Sequence, residues 1–207
     1  MQKHSHLQLA RALLKKAGGF SARRYELAFL FGSIQPDCNP LSYLKGSIRS
    51  QTFGGHTYGN NRAFIEKRIH RLRNRDHWLL WQYYTLGKLS HYLADAFTYP
   101  HNPHFPGWGW AHHVYETEMR QKMDEYLARE EPQDRMPLAD LPAEVKRLHD
   151  KYLEEEQPGI DTDIRYIVHV NELLMACCRP VPLDLEELED LIMGELAPEF
   201  VPAVPRI

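Results

Sequence analysis

The 207-residue chain contains little cysteine and no long hydrophobic run. Its three cysteines, Cys38 and the adjacent Cys177 and Cys178, lack metal-ligand spacing, and their odd number predicts reduced thiols in a reducing compartment. No window of about 20 apolar residues predicts a transmembrane helix. The first residues lack the apolar core of about 7–15 residues that a secretory signal needs, so we expect a cytoplasmic protein.

A strong charge of one sign and strand-like patterns are also lacking. The 25 Lys and Arg residues against 28 Asp and Glu residues give a formal net charge of -3, which argues against nucleic acid as a specific partner. Apolar residues recur with helical rather than alternating spacing along the chain. We therefore predict an all-α fold, a single-domain multi-helix bundle that spans residues 1–207.

Glycine, proline and capping residues predict where the helices begin and end. The first helix is expected over residues 5–17, before Gly18, and the second starts after Ser21 and ends at Gly32. A long loop over 33–59 follows, and a loop of this length is usually functional. Further helices are predicted over 60–74, 77–97 (capped by Asp76), 110–130, 142–156, 161–178 and 184–195, before a Pro-rich tail.

Histidine is the residue that the chain has in excess, with 12 copies. His91 and Asp95 are four residues apart, so both side chains leave one helix face and can bind one metal ion. His112 and Glu116 repeat this spacing, and His101 lies between the two pairs. One such pair alone is more often a surface hydrogen bond, but two pairs with a histidine between them favour a metal centre.

Further candidate ligands lie upstream of these pairs. Asp37 and His56 fall in the predicted glycine-rich loop, and His4 and His6 lie near the amino terminus. Histidine and carboxylate ligands without thiolates suit zinc, and a cluster held by helices and loops suits catalysis better than structure. We therefore predict a metal cluster held between the helices and loops of the bundle.

The order and context of these residues resemble the bacterial zinc-dependent phospholipase C family in three stretches: SHLQLARALL, LGKLSHYLADAFTYPHNPHF and WAHHVYETEMRQKMDEY. The family pattern has a histidine in the first helix, then an aspartate and a histidine in the first long loop. A His-x3-Asp helix follows, then a histidine, then His-x3-Glu. The residues that match in order are His6, Asp37, His56, His91, Asp95, His101, His112 and Glu116. The resemblance is clearest over residues 5–126, and 127–207 adds helices and the tail.

The resemblance implies clustered zinc ions, two of them with full ligand sets and a third with an altered set. The first zinc would be bound by Asp37, His56, His91 and Asp95. The second would be bound by His101, His112 and Glu116. Asp95 would bridge to the third, together with His6 and the chain's own amino terminus. Secreted members place a processed tryptophan at that terminus, so here Met1 or His4 substitutes for it, or the third site does not exist.

The activity that the resemblance implies is zinc-dependent hydrolysis of a small-molecule or lipid phosphodiester. Zinc ions would hold the phosphoryl oxygens and lower the pKa of a bound water towards about 7. Asp37, close to that water, is expected to act as general base or to hold the nucleophile. The alternatives are an S1/P1-type nuclease, whose last pair closes with aspartate rather than Glu116, another intracellular phosphodiesterase, and a metal-binding protein without turnover.

A basic helix over 60–74 suggests one further partner, the surface of a membrane. The cations at its face are Arg62, Lys67, Arg68, Arg71, Arg73 and Arg75. Such a face can make transient contact with anionic headgroups. The competing interpretation is a solvated helix face, because Glu66 interrupts the basic series and the chain is acidic overall.

Overall fold

The computed structural model describes residues 1–38, 57–106, 109–130, 132–156 and 159–180. These residues form the helices α1 Lys3–Lys16, α2 Arg23–Cys38, α3 Tyr58–Arg73, α4 Leu80–Ala96, α5 Trp110–Arg129, α6 Leu141–Leu153 and α7 Ile160–Cys177, with a 3₁₀ turn at Tyr99–His101. No strand occurs within the described ranges, and the predicted all-α class is confirmed. Among the described helices, none combines the length and the hydropathy that crossing a bilayer requires.

Helix α4 occupies the centre of the bundle. Its apolar side chains Leu86, Leu89 and Leu93 are fully buried, and α1, α2, α3 and α7 all pack against it. Because the carboxyl half of the helix, from Leu89 onward, is covered on every side, its polar residues His91 and Asp95 are buried as well. Burying an imidazole and a carboxylate is costly unless both have partners, so the carboxyl end of α4 requires a polar site around it.

Two glycines allow α2 and α4 to approach each other closely. A Cβ atom added at Gly32 would clash with the backbone oxygen of Tyr84, and one added at Gly87 would clash with that of Phe29. Gly32 therefore serves helix packing rather than helix termination. The prediction that α2 ends there is wrong, since the helix continues to Cys38.

The longer α2 has a direct consequence for the polar end of α4. Ser33 and Asp37, which we expected in a long loop, lie on the last turns of α2 beside the carboxyl end of α4. Residues 39–56 of that predicted loop lie outside the described residues, and its last two residues already belong to α3, which begins at Tyr58. The part of the predicted loop that carries Asp37 is therefore helical.

Two other helix boundaries test the sequence rules. The predicted stop of the first helix is confirmed, because α1 ends at Lys16 and Gly18 has a φ of 75°, in the left-handed region that favours glycine. The prediction that Asp76 caps α4 is wrong, since that helix begins only at Leu80. The predicted helix over 184–195 and the tail lie outside the described residues.

Candidate metal centre

The first cluster joins the amino end of α1 to the carboxyl end of α4. The Nε2 atom of His6 lies 3.2 Å from Oδ1 of Asp95, and Nε2 of His91 lies 3.1 Å from Oδ2 of the same carboxylate. The two imidazole rings stack with their centroids 3.8 Å apart. All three side chains are buried, so their ligand atoms converge in a site with almost no contact with bulk water.

The orientation of His91 is set by α2. Its Nδ1 atom lies 2.9 Å from the carbonyl oxygen of Ser33, and because a carbonyl can only accept, Nδ1 carries the proton and donates. The lone pair of His91 is therefore on Nε2, the atom that faces Asp95. Fixing a metal-binding imidazole through its other nitrogen in this way is common in metalloproteins.

Asp37 approaches the same cluster from the last turn of α2. Its Oδ1 atom lies 3.7 Å from Nε2 of His91, and its Oδ2 atom lies 3.9 Å from Nε2 of His6. These separations exceed a hydrogen bond and suit groups that share a metal ion or a bridging water. His56, the remaining residue expected here, lies outside the described part of the chain.

The second cluster lies between the 3₁₀ turn and α5. One carboxylate oxygen, Oε1 of Glu116, lies 3.3 Å from Nε2 of His101 and 2.9 Å from Nε2 of His112. The side chain of His112 is 37% exposed, whereas that of His101 is 10% exposed. This cluster is therefore the more accessible of the two, and solvent reaches it on the side of α5.

The two clusters adjoin each other, and the amino terminus lies between them. Nδ1 of His101 is 4.0 Å from Oδ2 of Asp95. The amine of Met1 donates to Oδ1 of Asp95 at 2.7 Å and lies 3.0 Å from Oε1 of Glu116. Burial disfavours the ammonium, but the carboxylates of Asp95, Glu116 and Asp37 prevail and raise the pKa of the Met1 amine to about 11. The site thus attracts positive charge strongly.

Local electrostatics also put four of the clustered side chains, His6, His101, Asp95 and Glu116, in the protonation states that bind metal. Burial and the charge of neighbouring His91 lower the pKa of His6 to about 4, and burial lowers the pKa of His101. Burial opposes ionisation of the carboxyls, but the Met1 ammonium and the surrounding histidines hold the pKa of Asp95, and likewise that of Glu116, well below the ordinary value. Neutral imidazoles and charged carboxylates are the forms that coordinate zinc.

A buried nitrogen with poor hydrogen-bond geometry supports the same conclusion. Within the described part of the chain, Nε2 of His6 is buried and lies 3.2 Å from Oδ1 of Asp95, but the pair does not have the geometry of a hydrogen bond. Leaving such an atom unsatisfied costs about 1–3 kcal/mol, so it indicates a missing partner of another kind. A divalent cation fits it, since the surrounding donors are imidazole and carboxylate without thiolate.

Seven of the eight predicted ligands lie in these two clusters or beside them, and the eighth, His56, is not described. Of the two substitutes considered for the third site, Met1 lies at the clusters. His4 is directed elsewhere, with its Nε2 atom 3.2 Å from Oδ2 of Asp124 in a half-exposed pair. Met1, unlike His4, therefore lies where the additional ligand was expected.

Sequence reasoning missed the residues that hold the turn carrying His101. Asn102 is buried and donates to the carbonyl oxygens of Ala96 and Thr98, both at 3.0 Å. Its Oδ1 atom lies 3.1 Å from Nε2 of His149 on α6. The Asn-Pro dipeptide after His101 marks a turn, but no signal in the sequence pairs Asn102 with a histidine so far along the chain.

Comparison with known proteins agrees with this geometry. No curated protein and no solved structure matches the chain significantly. The model of the family described as zinc dependent phospholipase C matches residues 5–159, which is more than half of the chain and includes every clustered side chain from His6 to Glu116. The resemblance noted from the sequence is thereby confirmed. The chain belongs to the zinc-dependent phospholipase C family.

Proposed function

We propose that the chain is a zinc-dependent hydrolase that cleaves phosphodiester bonds in the manner of a phospholipase C. The observation that carries this proposal is the contact between the two clusters, with His101 Nδ1 only 4.0 Å from the Asp95 carboxylate. A structural zinc site is closed and isolated. Two adjoining histidine–carboxylate sets suit ions that act together on one phosphate group.

The described ligands divide into two sets, with one extension at the amino terminus. The first set is Asp37, His91 and Asp95, with the undescribed His56; the second is His101, His112 and Glu116. Asp95 would also serve a third ion with His6 and the Met1 amine, whose nitrogen is 2.7 Å from that carboxylate. When bound, zinc neutralises phosphoryl charge and acidifies a coordinated water. We expect two zinc ions, and a third where the amine is free to bind.

Asp37 is the residue that we propose to accept a proton from the attacking water. Its side chain is 8% exposed and stands 3.7 to 3.9 Å from the two imidazoles of the first cluster. A carboxylate at this distance reaches a water held among the ligands without displacing one of them. Asp95 lies 2.7 Å from the Met1 amine and Glu116 lies 2.9 Å from Nε2 of His112, whereas Asp37 stands at least 3.7 Å from both imidazoles of the first cluster, which leaves room for that water.

Turnover of three substrates by one preparation tests the proposal. Metal-stripped protein should be inactive on bis(p-nitrophenyl) phosphate, and added zinc should restore hydrolysis. Phosphatidylcholine in mixed micelles and single-stranded DNA then separate a phospholipase from a nuclease, and we expect cleavage of the lipid. Zinc binding without hydrolysis of any substrate would show a metal-binding protein without turnover and would refute the proposal.

A lipid substrate is also supported by an exposed surface, which we call the aromatic–basic surface. Its apolar part is Leu27, Phe31, Leu80 and Trp81, which are all more than half exposed, together with Tyr84 between the two aromatic rings. Its basic part is Arg68 and Arg71 of α3 and Arg75 just after that helix, which line one groove together with Trp81. We propose that this surface contacts an anionic bilayer, because aliphatic and aromatic side chains bordered by arginines match the interface.

Sedimentation with lipid vesicles tests the contact. Each arginine near an anionic surface contributes about 1 kcal/mol, so Arg71→Glu should reduce binding to phosphatidylserine-containing vesicles. Trp81→Ala should also reduce it, because it removes an apolar ring from the interface. Trp110→Ala is the matched control, since Trp110 is 78% exposed but lies on α5, which contributes no residue to this surface. If all three variants bound the vesicles as well as the wild-type protein does, the surface would not be a membrane contact.

A further inference from the structure

A buried carboxylate outside both clusters connects the elements that carry the second one. Asp163, on α7, is fully buried. Its Oδ2 atom accepts from the backbone N–H of Tyr99 at 2.8 Å and from the hydroxyl of Tyr115 at 2.9 Å. Its Oδ1 atom accepts from the hydroxyl of Tyr152, on α6, at 2.7 Å. Three donors from three separate segments therefore meet on one side chain.

Two of these segments hold the second cluster. Tyr99 opens the 3₁₀ turn that ends at His101, and Tyr115 directly precedes Glu116 on α5. The single oxygen Oδ2 of Asp163 thus binds the turn and the helix whose ligands must converge. The hydroxyl of Tyr152 occupies the other oxygen, which fixes the rotation of the carboxylate.

Keeping this carboxylate ionised in the interior costs free energy. Burial raises the pKa of Asp163 to about 6 even though all three donors favour the charged form. Replacing both partners of a buried hydrogen bond by apolar groups of the same shape can be nearly neutral or stabilising, so stability alone does not explain an aspartate here. An alignment role for two metal-binding segments does.

We infer that Asp163 is a positioning residue of the second metal site, which sets the separation of His101 and Glu116 through Tyr99 and Tyr115. It acts through these neighbours and touches neither ligand. Asp163 lies outside residues 5–159 that the family model matches, so the family match does not assign it. The inference rests on the proposed function in one respect, namely that the second cluster binds zinc.

Zinc affinity measured in two single-cluster backgrounds tests the inference. His91→Ala leaves only the second cluster intact, and His112→Ala leaves only the first. Losing a residue that orients a ligand typically costs about 10–100-fold in metal affinity. Adding Asp163→Ala should therefore weaken zinc binding by at least about tenfold in the His91→Ala background, and by less than about twofold in the His112→Ala background. Competition with a chromogenic chelator measures both.

Glu172 provides a matched control on the same helix. It is also a buried carboxylate of α7, and it accepts from the backbone N–H of Gln133 at 2.5 Å and from Nε of Arg135 at 2.7 Å. The segment that it holds carries no candidate ligand. Glu172→Ala should lower the Tm much as Asp163→Ala does, but should change zinc affinity in neither background.

Two milder variants keep the test decisive if Asp163→Ala does not fold. Asp163→Asn retains one acceptor oxygen and should preserve most of the zinc affinity. Tyr115→Phe removes one donor and keeps the ring, so its loss should be small and confined to the His91→Ala background. An equal loss in both backgrounds, no loss in the first, or no zinc binding at all in the first would overturn the inference. Failure of the proposed function is separate, because it appears as zinc-loaded wild-type protein that hydrolyses no phosphodiester.

Discussion

Replacing Asp95 by asparagine tests the centre of the site most directly. The side chain is fully buried, with Oδ1 facing the Met1 amine and His6 and Oδ2 facing His91. Asparagine has the same shape but carries no charge and only one acceptor oxygen. We expect Asp95→Asn to lose most of its hydrolytic activity and at least one zinc ion, while the helical circular dichroism is retained.

The thermal shift caused by zinc gives this prediction a magnitude. At a free zinc concentration 100 times the wild-type Kd, binding stabilises the fold by about 2.7 kcal/mol. For a chain of this size, that corresponds to a rise in Tm of roughly 5–11 °C. If the variant binds at least about a hundredfold more weakly, the same zinc concentration contributes about 0.4 kcal/mol. The zinc-induced rise should then shrink to roughly 1–2 °C.

Asp124→Asn is the control for this experiment. Asp124 also pairs with a histidine, His4, at 3.2 Å, but the pair is about 40% exposed and lies outside both clusters. Its substitution should leave the zinc content and the zinc-induced rise in Tm unchanged. An Asp95→Asn protein that keeps its zinc, its thermal shift and its activity would refute the assignment of Asp95 as a bridging ligand.

Three further predictions concern helix packing, helix register and the amino terminus. Gly87→Ala should destabilise the fold by about 1–3 kcal/mol in urea unfolding, because its Cβ would clash with α2, whereas Gly59→Ala in the open should be neutral or stabilising. His112→Ala should lose zinc by elemental analysis and His113→Ala should not, since His113 is exposed and adjacent helical residues diverge. Acetylating the Met1 amine should lower zinc content without emptying both clusters, because an amide nitrogen cannot replace an amine as a zinc ligand. Unchanged zinc content would exclude the amine as a ligand.

The sequence was sufficient to predict the ligand pairs but not the contacts that orient them. His91–Asp95 and His112–Glu116 are encoded in helical spacing, which is a local property. The hydrogen bond from His91 to Ser33 depends on α2 continuing through Gly32. Glycine has a low helix propensity, and close packing against Gly87 overrides that propensity here.

Long-range partners were beyond the sequence for a related reason. Asp163 lies 64 residues from Tyr99 and 48 from Tyr115, and nothing in the local pattern of α7 distinguishes it from a solvated helix aspartate. The position of the Met1 amine between the clusters likewise depends on how α1 packs against α4 and α5. Local rules predict which side chains share a helix face, whereas tertiary packing decides which faces meet.

The charge of the described site bears on the kind of substrate that it can accept. The carboxylates of Asp37, Asp95 and Glu116 supply the negative charge, and the low pKa values of His6 and His101 keep these imidazoles neutral. Two zinc ions exceed the charge of three carboxylates by a single positive charge, which complements a monoanionic phosphodiester. Without zinc, the Met1 ammonium is the cation that pairs with Asp95 and Glu116 among the described residues. Zinc and the Met1 ammonium therefore compete for the same carboxylates. Zinc binding that recruits the amine must release the ammonium proton, so it must strengthen as the pH rises.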